Sequence, residues 1–224
     1  MKKVTAVFVL MLMMVFGSFG NVFAAEKGIP ELDLTQKQLA EIKQGKMQTE
    51  LIKKQWETRK GSKYYGDLKV SEDVSIQAGY YSRPGMFLVT LDTASSSSSA
   101  WAGGHAGLVY NDYFAIESFG NKGDKNGVNL WPNDWDTRYE HMELRSTNDT
   151  TIDEDKQAAE KAYLYIGKPY NYNFFYIDQD DSFYCSQLVW YVFNDLFNIN
   201  LNDGGAVWPV DLTESSEAYL VYSK

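Results

Sequence analysis

The stretch FYCSQLVWYVFNDLF, residues 183 to 197, combines the chain's strongest helical pattern with its only cysteine. Leu188, Val189, Val192, Phe193 and Leu196 recur at helical spacing after Cys185. Such a stripe has to be buried against another layer, so this helix constrains the fold more than any other segment. Cys185 lies on the same stripe. Ser182 is a good N-cap, which predicts Cys185 in the first helical turn. There the unpaired N–H groups and the positive end of the dipole favour a thiolate. A lone buried cysteine is also ordinary core packing, so position alone leaves a reactive and a structural thiol both open.

The start of the chain reads as a secretory leader. Lys2 and Lys3 precede an apolar run from Val7 to Phe16, and Val22-Phe23-Ala24-Ala25 offers small residues for cleavage after Ala24 or Ala25. No cysteine stands there for a lipid anchor, and no later apolar stretch is long enough to span a bilayer. The expected product is secreted. Removing Lys2 and Lys3 with the leader changes the formal net charge from −9 to −11. This acidity argues against nucleic acid or an anionic membrane as the main partner.

The expected organisation is a leader over 1–24, a helical extension over 25–75 and a catalytic domain over 76–224. Thr35-Gln36-Lys37-Gln38 reads as a capping box. The helix it opens runs through Leu39, Ile42, Leu51, Ile52 and Trp56, with a break expected at Gly45. Met86–Leu91 predicts a strand. The five serines Ser95–Ser99 predict a loop beside a cleft. His105–Tyr110 and Tyr113–Ser118 predict a hairpin, and Gly120–Asn129 a loop. Thr151-Ile152-Asp153-Glu154 is a second capping box, opening a helix that Gly167 and Pro169 stop. Asn171–Ile177 and Tyr219–Tyr222 are further candidate strands.

A thiolate nucleophile needs a base, and the chain has two histidines. His141, between charged residues, reads as a surface side chain. His105 starts a strand with glycines on both sides, which lets backbone or substrate come close. Glu117, in an otherwise apolar strand, is the candidate to orient it. The hairpin register decides this. A two-residue turn at Asn111-Asp112 pairs His105 with Ser118 and points Glu117 to the other face. A three-residue turn, Tyr110–Asp112, pairs His105 with Glu117, with Asn or Asp supplying a positive φ.

Together these residues resemble the permuted, papain-like branch of the NlpC-type cysteine peptidase and amidase superfamily, the YiiX-like group. Gly-Gly-His105-Ala-Gly-Leu-Val-Tyr comes first, then Ile-Glu117-Ser, then Phe-Tyr-Cys185-Ser-Gln-Leu-Val-Trp. Arg-Pro-Gly at 83–85, Gly-Lys-Pro-Tyr-Asn-Tyr at 167–172 and Trp-Pro-Val-Asp-Leu at 208–212 also fit. The resemblance covers about residues 83 to 215. It implies an α+β fold, an antiparallel, barrel-like sheet packed on the helix that carries the cysteine. It also implies Cys185 as nucleophile, His105 as base and Glu117 as orienter. Tyr184, Gly104 and Tyr170 are the candidate substrate-binding residues.

The expected activity is hydrolysis of amide bonds by acyl transfer, with cell-wall peptide as the leading substrate and lipid-linked amides or esters as the alternative. A non-catalytic binding protein would have no need of cysteine, histidine and glutamate together. No metal or cofactor is expected: two histidines and one cysteine far apart make a poor ligand set, and Asp178, Asp180 and Asp181 lack the glycine and glutamate of a calcium loop.

Overall fold

The computed structural model describes residues 33–58, 64–65, 80–93 and 102–224. The expected leader, the serine run and the expected boundary at 75/76 lie outside the described residues. The elements in chain order are α1 (Gln36–Thr58), β1 (Tyr64–Tyr65), β2 (Phe87–Thr90), β3 (His105–Val109), β4 (Phe114–Phe119), a 3-10 turn (Gly123–Lys125), β5 (Gly127–Pro132), α2 (Trp135–Arg138), β6 (Glu143–Thr147), α3 (Ile152–Tyr163), α4 (Cys185–Phe197), α5 (Pro209–Glu214) and β7 (Ala218–Ser223). Among the described residues no helix is long and apolar enough to cross a membrane.

The seven strands form one sheet, ordered β1-β7-β6-β2-β3-β4-β5. Every pairing is antiparallel. Alternation along the strands sends side chains to two cores. Phe87, Val89, Ala106, Leu108 and Ile116 join Leu188, Val189, Val192 and Phe193 of α4 in the larger one. Each of these side chains larger than alanine contributes about 1.5–3 kcal/mol. Leu196, expected on the same stripe, is 36 % exposed at the end of α4.

The opposite face gathers Met86, Leu88, Val109, Ala115 and Leu144 around Trp135 and Tyr139. This side must curl. Tyr222 of β7 donates to Asp136 at 2.7 Å, while Glu117 of β4 accepts from Trp135 at 3.1 Å. In a flat sheet those two strands would stand roughly 19 Å apart. Both reach a helix of four residues, so the sheet wraps around α2.

Several expected elements need correction. Gly45 does not break α1. The helix passes through it, and the missing side chain leaves room for the Trp208 ring, which a Cβ would approach to 2.7 Å. Ile42, Ile52 and Trp56 of α1 join the main core. Residues 171–177 form no strand: Asn171 takes its N–H to Phe183 and its amide to Tyr176 and Gln187, which folds the segment into turns. The expected loop over 120–129 gives way to β5, whose Val128 exchanges hydrogen bonds with Lys168 and Gly167. The Thr151/Glu154 capping box of α3 forms as expected.

Candidate active site

Cys185 is the first residue of α4, and Tyr184, not Ser182, is its N-cap. Gln187 reaches back to accept from the Tyr184 N–H at 3.2 Å and also accepts from Asn171 at 2.9 Å. The entry is held from three more directions. Ser118 of β4 donates to the Phe183 carbonyl at 2.5 Å, Ser186 donates to Val207 at 2.7 Å, and the Val207 N–H donates to the Tyr184 hydroxyl at 2.8 Å. The helix N-terminus is therefore pinned between β4 and the segment before α5. The Cys185 N–H donates to no described group.

The hairpin delivers His105 and Glu117 to the same face, by a register two residues away from the expected His105–Glu117 pairing. Gly107 pairs with Glu117, Leu108 with Ile116 and Val109 with Ala115. The loop is Asn111-Asp112-Tyr113, closed by Asn111 Oδ1, which accepts from the N–H groups of Tyr113 and Phe114 at 2.9 Å each. No residue of this loop has positive φ. The side-chain acceptor holds the turn instead. Glu117 thus faces Gly107 rather than His105, and the missing side chain is the point. A Cβ on Gly107 would lie 2.7 Å from Glu117 Cγ. The glycine leaves the carboxylate free to slant toward the imidazole, and His105 Nε2 meets Glu117 Oε2 at 2.8 Å.

Glu117 is fully buried. Besides His105 it accepts from Trp135 Nε1 at 3.1 Å and from one Arg138 nitrogen at 3.0 and 2.9 Å, a donor set suited to a carboxylate that only accepts. The imidazole is stacked between Phe119 and Trp135, with centroids at 4.0 and 5.6 Å. With Nε2 on Glu117, Nδ1 is the nitrogen left to act on the Cys185 thiol, which lies close enough for ring and thiol to perturb each other's titration, while Ser186 Oγ stands 3.9 Å from the sulfur. Burial works against both charges. For His105 it is outweighed by the hydrogen bonds to Cys185 and Glu117, which lift the pKa to about 9. For Cys185 burial pushes the thiol up, but the hydrogen bond and charge of His105 and the Ala106 N–H bring it below its ordinary value. The pair favours thiolate and imidazolium.

The other expected residues do different work. Gly104 sits at φ +149°, and a Cβ would strike the Thr90 carbonyl at 2.2 Å, so it serves the close approach of two backbone segments. Tyr184 is 1 % exposed, its hydroxyl donating to Phe174 and accepting from Val207, which makes it a core post. Tyr170 packs edge-on against Tyr172 and Phe174 in the main core. His141 is not a surface side chain. Its N–H donates to Asp92 at 2.9 Å, its carbonyl accepts from Thr90, and its Nε2 is buried without a partner.

Trp135 and Arg138 are the site residues that sequence reasoning missed. Their spacing of three on a helix, which places them on one face, was the available signal.

Residues 67–218 match the YaeF/YiiX family of permuted papain-like amidase enzymes, and the chain belongs to that family. No curated protein matches it in sequence. A crystal structure described as metalloprotein yiiX from Escherichia coli O157:H7 is similar in fold, with a TM-score of 0.50 and 17 % identity, covering 62 % of this chain and 96 % of that one. Among the described residues here, no group of three or more His, Cys, Asp and Glu side chains could hold a metal ion. The family match begins after α1.

Proposed function

We propose that this chain is an exported cysteine hydrolase that cleaves amide bonds in cell-wall peptide, with Cys185 as nucleophile, His105 as acid and base, and Glu117 as the residue that orients His105. The observation that carries the reading is the 2.8 Å contact of His105 with the buried Glu117 carboxylate, beside a Cys185 thiol whose pKa His105 lowers. Membership of an amidase family supports the reaction class. The leader pattern of Lys2, Lys3 and Val7–Phe16 supports export.

In this mechanism the Cys185 thiolate attacks the amide carbonyl carbon, and the carbonyl π pair moves onto oxygen. The Cys185 N–H, without a partner at the helix start, faces the developing oxyanion. The imidazolium of His105 gives its Nδ1 proton to the leaving amine as the C–N bond breaks, leaving a thioester. Neutral His105 then takes a proton from water, hydroxide adds to the thioester, and the thiolate departs. Glu117 holds the ring through Nε2 in both halves.

The test is the rate of Cys185 alkylation against pH, read by mass spectrometry in the wild type and in His105→Ala, followed by incubation with peptidoglycan fragments. Labelling well below pH 8 that slows on the substitution, together with release of a new amine from the fragments, supports the reading. A thiol that labels only after denaturation would sink it and favour a binding protein that keeps the fold.

A further inference from the structure

A second feature lies on the far side of Phe119 from the imidazole. A cavity of about 390 Å³ opens between β4, β5, the 3-10 turn and α2, with Phe119 and Trp131 among its walls and Lys122, Lys125 and Arg138 around it. Phe119 belongs to both places. His105 stacks on the ring at 4.0 Å, and the Lys122 ammonium sits 5.2 Å from the same centroid. The imidazole covers one face of the ring, so the ammonium takes the other. The cavity therefore begins one ring's thickness beyond the acid-base residue.

Its charges are not balanced. Arg138 is already committed to Glu117 and to Asp134, and Asp134 to Arg138. Lys125 lies over the Trp131 ring at 5.5 Å. Neither Lys122 nor Lys125 forms an ion pair with a described residue. Asp124, in the same turn, does not line the cavity. In a chain of formal net charge −9, two ammoniums without an ion pair among the described residues are held over aromatic walls, with the Phe119 ring between Lys122 and His105. Aromatic faces keep such cations in place and exclude water from one side of whatever binds between them. An anion next to an apolar or planar group matches this surface.

We propose that the cavity holds a carboxylate of the substrate, so that the preferred amides carry a free carboxylate near the scissile bond. This rests on the reading of Cys185 as the nucleophile. The probes are benzoylglycine and its amide, which differ only in the charge of one end. Calorimetry on the protein is expected to show the acid binding about tenfold tighter than the amide. Lys122→Glu or Lys125→Glu is expected to weaken the acid roughly fivefold, while Lys156→Glu, which reverses an exposed lysine of α3 outside the cavity, leaves it unchanged. Equal binding of acid and amide, or an equal loss with Lys156→Glu, overturns the proposal.

A second readout uses the thiol itself. The ratio of Cys185 labelling by iodoacetate to labelling by iodoacetamide is expected to fall in the Lys122 and Lys125 variants, and a ratio that does not move counts against the subsite. If neither reagent labels the folded protein, the nucleophile reading fails, and the benzoylglycine measurements still decide whether the cavity takes carboxylates.

Discussion

Asp155 and Glu117 are both fully buried carboxylates bound to an arginine, and they do opposite things. Asp155, on α3, meets Arg83, Ser146 and Thr150. Arg83 is 3 % exposed, and Gly85 beside it is needed because a Cβ there would strike the Asp155 carbonyl. The partners of Asp155 are a guanidinium and two hydroxyls, with no imidazole or thiol among them. The cluster locks the entry to β2 onto α3. Glu117 differs in one partner, an imidazole that in turn touches a thiol. The same arginine–carboxylate chemistry ends in a structural clamp at one place and, in the proposed mechanism, in an acid-base relay at the other. Burial of a carboxylate does not mark function; the titratable group attached to it does.

Substitutions can separate the two. The largest expected effect is from His105→Ala, which removes the base and should slow hydrolysis by about 10²–10⁴-fold, measured as kcat/KM on a cleaved fragment, with the fold retained. Next is Asp155→Asn, which leaves the Arg83 charge buried and unpaired. It should cost about 3–5 kcal/mol, a fall in Tm of about 6–20 °C in thermal unfolding, with Cys185 labelling per folded molecule unchanged. A rate loss without a stability loss would erase the contrast.

Glu117→Gln keeps the volume and loses the charge. It should reduce the rate by about 10²-fold and show as slower labelling of Cys185 at pH 6. Gly107→Ala sharpens the same point more gently. Its methyl group displaces the Glu117 side chain, and a rate loss of about tenfold with a Tm loss smaller than that of Asp155→Asn is expected. An equal Tm loss for Gly107→Ala and Asp155→Asn would show that Gly107 serves packing and not aim.

The smallest effect is in pH. His105 has a folded pKa raised to about 9 from its ordinary 6.5. A raised pKa gives stability that is complete below the unfolded value and is lost as pH rises through the folded one. The His105 contribution to thermal stability should therefore decline between pH 6.5 and 9, offset by that of Cys185, whose lowered pKa acts in the opposite sense, and His105→Ala should remove the declining part. On the rate side, the acid limb should fall below the ordinary thiol pKa, because Cys185 is lowered.

The legible parts of the fold were those with local causes. α4 announced itself by its apolar stripe and α3 by its capping box, and Cys185, His105 and Glu117 were each visible as an unusual residue in its own segment. The register was half legible. Any loop that put Glu117 on the face of His105 shifts the pairing by an even number of residues, so the face was right while the partner, Gly107, was not. Trp135 and Arg138 were not read, because a helix of four residues carries little pattern. β6 was also missed: Glu143–Thr147 mixes charged and polar side chains, and neighbouring strands bury it.

The candidate residues Cys185, His105 and Glu117, and the helix and hairpin that carry them, are legible locally, because capping, periodicity and glycine placement act over a few residues. Tertiary structure alone decided which carboxylate meets which cation, that Tyr184 and Tyr170 pack rather than line a cleft, and that the sheet curls to bring Arg138 and Trp135 onto Glu117. Those outcomes depend on contacts between segments far apart in the chain. Their geometry is set by how the two cores fill space, and no window of sequence contains it.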